Sequence, residues 1–254
     1  MNVADFRAQL ENELAWRIEE VLFFQNQCAT IKQVESQDKF RRALVLLLYS
    51  NFEGFCKFGL NLYVTAINQE GIDCKDANYA IAAASLSDVF ATLRNGDKKA
   101  PEFINNNPDD TKLHRFARDR EFIERAFDLM ARKVSIPDKV VDTESNLKPV
   151  VLRKNLYRLG LPHDQFSTLE PEIDKLLNLR NKIAHGESKQ GIPEKLYEQL
   201  RTSAFHIMNS IASGLTQAIS EKWYLARKED EREGIGDGAQ LNRKQKQQKG
   251  SASQ

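Results

Sequence analysis

Residues 40–66 read FRRALVLLLYSNFEGFCKFGLNLYVTA, and this stretch decides the fold. Its apolar side chains recur three and four positions apart, which is the spacing of one face of an α-helix. They are Phe40, Leu44, Leu47, Leu48, Phe52, Phe55, Leu62 and Ala66. A helix with so wide an apolar face is typical of the central helix of a bundle. We therefore predict that this helix forms the core of the protein.

Helical spacing also dominates on both sides of this stretch, and the sequence shows no alternating strand pattern of any length. The other predicted helices cover residues 3–34, 80–93, 112–134, 146–159, 168–185 and 193–226. Ser36 or Asp38 is the predicted N-cap of the central helix, and Thr168 is the predicted N-cap of the helix that follows it. Gly160 and Gly186 are expected to terminate helices. The predicted fold class is all-α.

The chain divides into a folded part and a polar tail. Residues 1–227 are predicted to form an up-and-down helical bundle that residues 71–137 decorate as a helical insertion, with a loop over residues 96–110. Residues 228–254 are too poor in large apolar side chains to offset the entropy of ordering, so we expect a disordered tail. Its basic end, residues 243–249, either keeps the protein soluble or makes a weak contact with RNA or a partner.

Composition and charge argue against several classes of protein. The formal net charge is +1, so no global field attracts nucleic acid and any anion binding must be local. The N-terminus lacks the pattern of a signal peptide, and the longest apolar run, residues 43–49, is too short to span a bilayer. Cys28, Cys56 and Cys74 fit neither a disulfide framework nor a zinc site. We expect a cytoplasmic protein with reduced core cysteines, no cofactor, no metal and no membrane contact.

The segment 180–185, Arg-Asn-Lys-Ile-Ala-His, closes a predicted helix and is the candidate functional centre. Asn181 and His185 are four positions apart, so they lie on one helix face, with Arg180 beside them. The residues expected to face the core are Leu177, Ile183 and Ala184. The carbonyl dipoles at this end of the helix favour a protonated imidazole.

These residue types are suited to phosphodiester cleavage without a metal. An imidazole can take the proton from a ribose 2′-hydroxyl or protonate the leaving oxygen. An arginine keeps its proton and stabilises charge on the phosphoryl oxygens. By spacing alone, however, a surface arginine and a capping histidine at a helix end are the commoner explanation of Arg180 and His185.

The remaining histidines are not expected to carry chemistry. His114 lies in a charge-dense helix and is expected to face solvent. His163 is expected to lie in a turn, and His206 is expected to be partly buried in packing. None of them stands at metal-ligand spacing from cysteine or acidic residues.

Three separated blocks resemble the HEPN superfamily, and most of all its MAE-like family. Residues 177–187 carry the Arg-x4-6-His signature, with asparagine after the arginine. Residues 47–55 are similar to the second helix of the MAE-like family. Residues 143–147 and 159–161 resemble the segment before its motif helix.

This resemblance implies an HEPN-type helical bundle that forms a homodimer, with two signature motifs lining one RNA cleft near the twofold axis. Many members are metal-independent endoribonucleases of toxin–antitoxin or phage-defence systems, which implies an antitoxin or defence protein as a further partner. Arg180, Asn181 and His185 are then the catalytic residues. Other members have lost activity and bind a partner protein or a nucleotide, so this alternative stays open.

Glu53 is a predicted supporting residue of the cleft. It lies in the middle of an apolar helix, where a bare carboxylate is costly. It either orients Arg180 or His185, pairs with an arginine such as Arg41 or Arg42, or faces water.

Tyr49 lies one turn before Glu53 on the same helix face and is expected to share the cleft. Gly54, next to Glu53, is expected to allow the close approach of another helix.

Overall fold

The computed structural model describes residues 1–97, 99–103 and 111–226, with the backbone alone at residue 102. Over these residues the chain forms nine α-helices, three short 3-10 helices and no β-strand, which confirms the all-α fold class. The α-helices are α1 (Val3–Ala29), α2 (Val34–Gln69), α3 (Tyr79–Ser85), α4 (Ser87–Arg94), α5 (Thr111–Glu124), α6 (Ala126–Ala131), α7 (Pro149–Arg158), α8 (Glu170–Ala184) and α9 (Glu194–Ser220). The predicted tail and most of the predicted loop over residues 96–110 lie outside the described residues.

α2 is the central helix of the bundle, and it packs against α1, α8 and α9. Its fully buried aromatic side chains are Tyr49, Phe52, Phe55 and Tyr63. Full burial of one such side chain stabilises the fold by about 1.5–3 kcal/mol, so this helix face holds the bundle together. By length and composition α2 is apolar enough to cross a membrane, and 56% of its apolar window is buried inside the protein. A buried core helix has the same composition.

The N-terminal ends of two helices differ from the prediction. α2 begins at Val34, so Ser36 and Asp38 lie inside the helix and neither is its N-cap. Their side chains instead bond along the helix surface, since the Ser36 hydroxyl donates to Gln33 and Asp38 pairs with Arg41.

α8 also lacks its predicted cap. A 3-10 turn over Ser167–Leu169 leads directly into the helix, and Thr168 makes no capping hydrogen bond. α7 begins at Pro149 rather than at residue 146, because proline is favoured at the first helical position.

The two ends of the segment 71–137 are bonded to each other and are buried in the core of the bundle. The Cys74 N–H donates to the Arg132 carbonyl and the Val134 N–H donates to the Ile72 carbonyl, both at 2.8 Å. Cys74 and Val134 are buried in the same core as α2. Among the described residues, α5 and α6 expose four large apolar side chains, which are Phe116, Ile123, Phe127 and Met130. Its ends therefore help to build the core, whereas α5 and α6 leave these four side chains exposed.

Two histidines lie differently from the prediction. His114 is buried: its ring lies 6.3 Å from the Phe103 ring, and its Nδ1 accepts the Ala100 N–H at 3.1 Å. His206 is exposed, because the buried stripe of α9, which includes Ala204 and Ile207, leaves position 206 on the solvent side. His163 lies in a bend, as predicted.

Candidate active site

A cleft runs along α2 beside the C-terminal end of α8. Its lining residues are Leu46, Tyr49, Ser50, Glu53, Gly54 and Lys57 from α2, Thr143 from residues 141–148, which form the segment before α7, and Arg180 and Ala184 from α8. The α2 residues share one helix face because they recur at three- and four-residue spacing. Lys57 and Arg180 are cationic and Glu53 is anionic, so these side chains give the cleft a local positive charge on a nearly neutral chain.

Arg180 is held in the cleft by two amide oxygens and one aromatic ring. Its Nη1 donates to Asn181 Oδ1 at 2.8 Å and to Asn146 Oδ1 at 3.0 Å. Its guanidinium carbon lies 5.1 Å from the centroid of the Tyr49 ring, within the range of a cation–π contact. No acceptor for Nε or Nη2 is present among the described residues. These N–H groups are therefore available to an anion in the cleft.

Tyr49 forms the buried side of the cleft. Its side chain is 1% exposed, and its hydroxyl accepts the Leu147 N–H at 2.8 Å. Burial raises the pKa of Tyr49 to about 12, and the charge of Glu53 and a hydrogen bond to its carboxylate act in the same direction, whereas the Leu147 N–H and the charge of Arg180 act against it. The phenol is therefore neutral near pH 7 and supports Arg180 instead of transferring protons.

Glu53 pairs with neither of the two arginines considered from the sequence. Arg41 is bound to Asp38 at 2.6 Å, and Arg42 donates to the Ser188 carbonyl at 2.6 Å. Glu53 forms no ion pair within the part of the chain that the structure describes, and its half-buried carboxylate lines the cleft beside Tyr49. The carboxylate is hydrogen-bonded to Tyr49, so it lies in the cleft with that phenol as its neighbour.

His185 is the C-cap residue of α8, and its backbone N–H donates to the Asn181 carbonyl at 2.9 Å. Gly186 follows with a φ of +72°, a left-handed conformation that favours glycine and ends the helix as predicted. The imidazole is exposed and is not part of the cleft wall. Ala184, which was expected to face the core, is instead exposed and lines the cleft at the C-terminal end of α8.

Gly54 faces a side chain of α1, that of Arg17, and not the backbone of another helix. A Cβ atom at this position would lie 2.6 Å from Arg17 Nη1. The Arg17 guanidinium is fixed by an ion pair with Glu13 at 2.6 Å and a hydrogen bond to Asn51 at 3.3 Å. The glycine therefore leaves space for a partly buried polar network of Arg17, Glu13 and Asn51 beside the cleft.

The described residues contain no group of three or more His, Cys, Asp or Glu side chains placed to hold a metal ion. The three cysteines, Cys28, Cys56 and Cys74, are free thiols buried in the core. Burial raises the pKa of the Cys28 and Cys56 thiols, so neither is an activated nucleophile.

Comparison with known proteins decides the family. Residues 12–217 match the model of the RiboL-PSP-HEPN family. The chain belongs to this family. The match extends over most of the chain and includes α2, the segment before α7 and the Arg180–His185 motif, so the HEPN superfamily predicted from the sequence is confirmed. The narrower likeness to the MAE-like family is not confirmed. No curated protein and no solved structure matched the chain.

The cleft of this RiboL-PSP-HEPN protein and its surroundings contain residues to which the sequence assigned no role. Asn146 bonds Arg180, and Lys57 adds a second cation to the cleft. The sequence offered one signal for Asn146, because it lies in a block that resembles the family. It offered none for Lys57, because an exposed lysine on a helix is common and only the packing of α2 beside α8 places it in a cleft.

Proposed function

We propose that this HEPN protein is a metal-independent endoribonuclease. The observation that carries the proposal is Arg180, whose guanidinium lines a positively charged cleft with two nitrogens free of acceptors among the described residues. Asn181 bonds that guanidinium, and the exposed His185 follows one helical turn later. Arg180 and Asn181 therefore contact each other, and His185 is exposed at the same helix end, outside the cleft wall.

The chemistry follows from these residue types. One imidazole takes the proton of a ribose 2′-hydroxyl, whose oxygen attacks the adjacent phosphorus, and the bond to the 5′-oxygen of the next nucleotide breaks. Arg180 stabilises the charge that develops on the phosphoryl oxygens. The departing 5′-oxygen needs a proton, and the products are a 2′,3′-cyclic phosphate and a 5′-hydroxyl.

A second copy of the chain supplies the remaining proton in this proposal. One imidazole does not readily act as base and acid in the same step, and His185 stands at the edge of the cleft rather than inside it. Two copies joined as a homodimer bring two such imidazoles to one RNA strand. Sedimentation is expected to show a dimer, and a monomer that is fully active would contradict this part of the proposal.

The deciding experiment measures cleavage of varied RNAs by the purified protein in the presence of EDTA. The wild-type protein is expected to cleave, and Arg180→Ala and His185→Ala are expected to lose cleavage while keeping their helicity and their dimer. His206→Ala is the matched control, since His206 is an exposed histidine on α9, away from the cleft. Inert wild-type protein, or equal activity in His185→Ala and His206→Ala, would contradict the proposal.

The alternative is a non-catalytic HEPN module that binds a partner protein or a nucleotide. The observation in its favour is that Arg180 is half-buried and already bonded to Asn146 and Asn181. Under this alternative, His185→Ala changes the affinity for the partner or the nucleotide, and wild-type protein leaves RNA intact.

The biological setting proposed here is a toxin–antitoxin or phage-defence system in the cytoplasm. The support is the family's frequent use of HEPN nucleases in such systems. Expression of the wild-type chain is then expected to arrest growth, and His185→Ala is expected to be harmless at the same level of expression.

A further inference from the structure

Arg180 depends on a residue outside its own helix. Its Nη1 carries two hydrogens, and these are directed to two amide oxygens, one on Asn181 in α8 and one on Asn146 in the segment before α7. With both hydrogens engaged, the guanidinium plane is fixed, and Nε and Nη2 present their N–H groups in one orientation. The hydrogen bond to Asn181 alone cannot fix this plane, since the guanidinium can rotate about a single hydrogen bond.

The segment that carries Asn146 also fixes the ring beneath Arg180. The N–H of Leu147, the next residue, donates to the Tyr49 hydroxyl at 2.8 Å, and the Tyr49 ring lies against the guanidinium. Two adjacent residues of one segment thus position the two partners of the cation–π contact.

The segment is itself held rigidly at its start. Asn155, which is 1% exposed, accepts the Asp142 N–H at 3.1 Å and donates to the Asp142 carbonyl at 2.8 Å. The Asp142 carboxylate then accepts the Glu144 N–H at 2.7 Å. Glu144 has a φ of +53°, a conformation that is costly for a residue other than glycine and persists when its surroundings impose it. A constrained backbone of this kind sets the position of Asn146.

We propose that Asn146 is a positioning residue for the active site: through the hydrogen bond to Arg180 it orients the guanidinium toward the phosphate in the cleft. This inference rests on the proposed ribonuclease function. If the Asn146–Arg180 hydrogen bond only linked the segment before α7 to α8, its loss would lower the stability of the fold and leave turnover unchanged. The positioning role predicts an effect on turnover, because a misdirected guanidinium no longer meets the charge of the transition state.

The experiment compares Asn146→Ala, Asn146→Asp and the control Ser145→Ala, which changes an exposed neighbour in the same segment. We expect Asn146→Ala to lower kcat by about 100-fold with little change in KM. Asn146→Asp keeps an acceptor oxygen and is expected to restore most of kcat, while its added negative charge raises KM for RNA. Ser145→Ala is expected to match the wild-type protein.

A readout without RNA separates this inference from the proposed function. In nitrogen-15 NMR the Arg180 guanidinium, assigned with Arg180→Lys, is expected to show restricted rotation in wild type and Asn146→Asp. Rotational averaging is expected in Asn146→Ala. Unchanged Arg180 signals in Asn146→Ala, or an unchanged kcat, overturn the positioning role. Wild-type protein that cleaves no RNA but shows the expected NMR change overturns the ribonuclease proposal and leaves Asn146 as the residue that orients Arg180.

Discussion

The Arg180 guanidinium lies over the Tyr49 ring, with 5.1 Å between the guanidinium carbon and the ring centroid. Tyr49 is buried in the central helix, whereas Arg180 reaches the cleft from the end of α8. The contact therefore joins the core of the bundle to its candidate active site. Substitutions at Tyr49 are therefore expected to change both the stability of the fold and the activity of the site, and different substitutions separate the two effects.

Replacing Tyr49 by phenylalanine keeps the ring beneath Arg180 and removes the acceptor of the Leu147 N–H. A buried donor without a partner costs about 1–3 kcal/mol, so we expect the free energy of unfolding to fall by this amount in urea titrations. RNA cleavage is expected to persist in Tyr49→Phe. Tyr49→Leu, which also removes the ring, is expected to weaken cleavage. Equal activity of the two variants would show that the cation–π contact has no role in the site.

Alkaline pH is expected to destabilise the protein through its buried phenols. The pKa of Tyr49 is about 12 in the folded chain, whereas an unfolded tyrosine titrates near 10. Above pH ~10 the unfolded chain releases the Tyr49 proton before the folded chain does. The contribution of the neutral Tyr49 phenol to stability is therefore complete below pH ~10 and is lost as pH rises through the pKa of the folded chain. Unfolding free energies measured from pH 8 upward are expected to fall less steeply in Tyr49→Phe than in wild type. Parallel curves would contradict this assignment.

Gly54 and Gly214 are matched glycines within helices, and they differ in what surrounds them. Nothing lies within 4 Å of a Cβ built at Gly214, whereas one at Gly54 would lie 2.6 Å from Arg17 Nη1. Alanine in a helix is favoured over glycine by roughly 0.5–1 kcal/mol, so Gly214→Ala is expected to raise the thermal midpoint. Gly54→Ala is expected to lower it, because Arg17 must leave Glu13 or Asn51. An equal rise in both variants would show that Arg17 moves aside at no cost.

Glu144 is predicted to be strained by its backbone conformation. Glu144→Ala and Glu144→Gly both remove its exposed ion pair with Lys154, so they differ only in how well they tolerate a φ of +53°. The left-handed region costs a residue with a Cβ about 1–2 kcal/mol, so the glycine variant is expected to be the more stable of the two by roughly 1 kcal/mol. Chemical unfolding of the two variants side by side measures this difference. If Glu144→Ala were more stable than Glu144→Gly, the backbone at residue 144 would not be strained.

Much of the fold could be predicted because it depends on local spacing. The apolar face of α2, the helix end at Gly186 and the break at Gly160 were all visible as periodicity or as glycine at a C-terminus. The caps at Ser36, Asp38 and Thr168 were predicted wrongly, since capping residues are common and their neighbours decide which one is used.

The site was predictable only along one helix. Helical spacing placed Arg180, Asn181 and His185 at one helix end. It did not reveal that Ala184 lines a cleft or that Arg180 bonds Asn146, because those facts depend on what lies opposite α8. The burial of His114 was missed for the same reason, since it depends on contacts with Ala100 and Phe103.

The sequence by itself determined the all-α class, the central helix and the placement of Arg180, Asn181 and His185 at one helix end. Each of these follows from the periodicity of a single segment. The tertiary structure decided the rest: which side chains share the cleft, that its charge is positive, and that Asn146 and Tyr49 hold Arg180 from two other parts of the chain. These relationships arise between residues far apart in sequence, where packing and hydrogen bonding across elements choose the partners and local spacing carries no information about them.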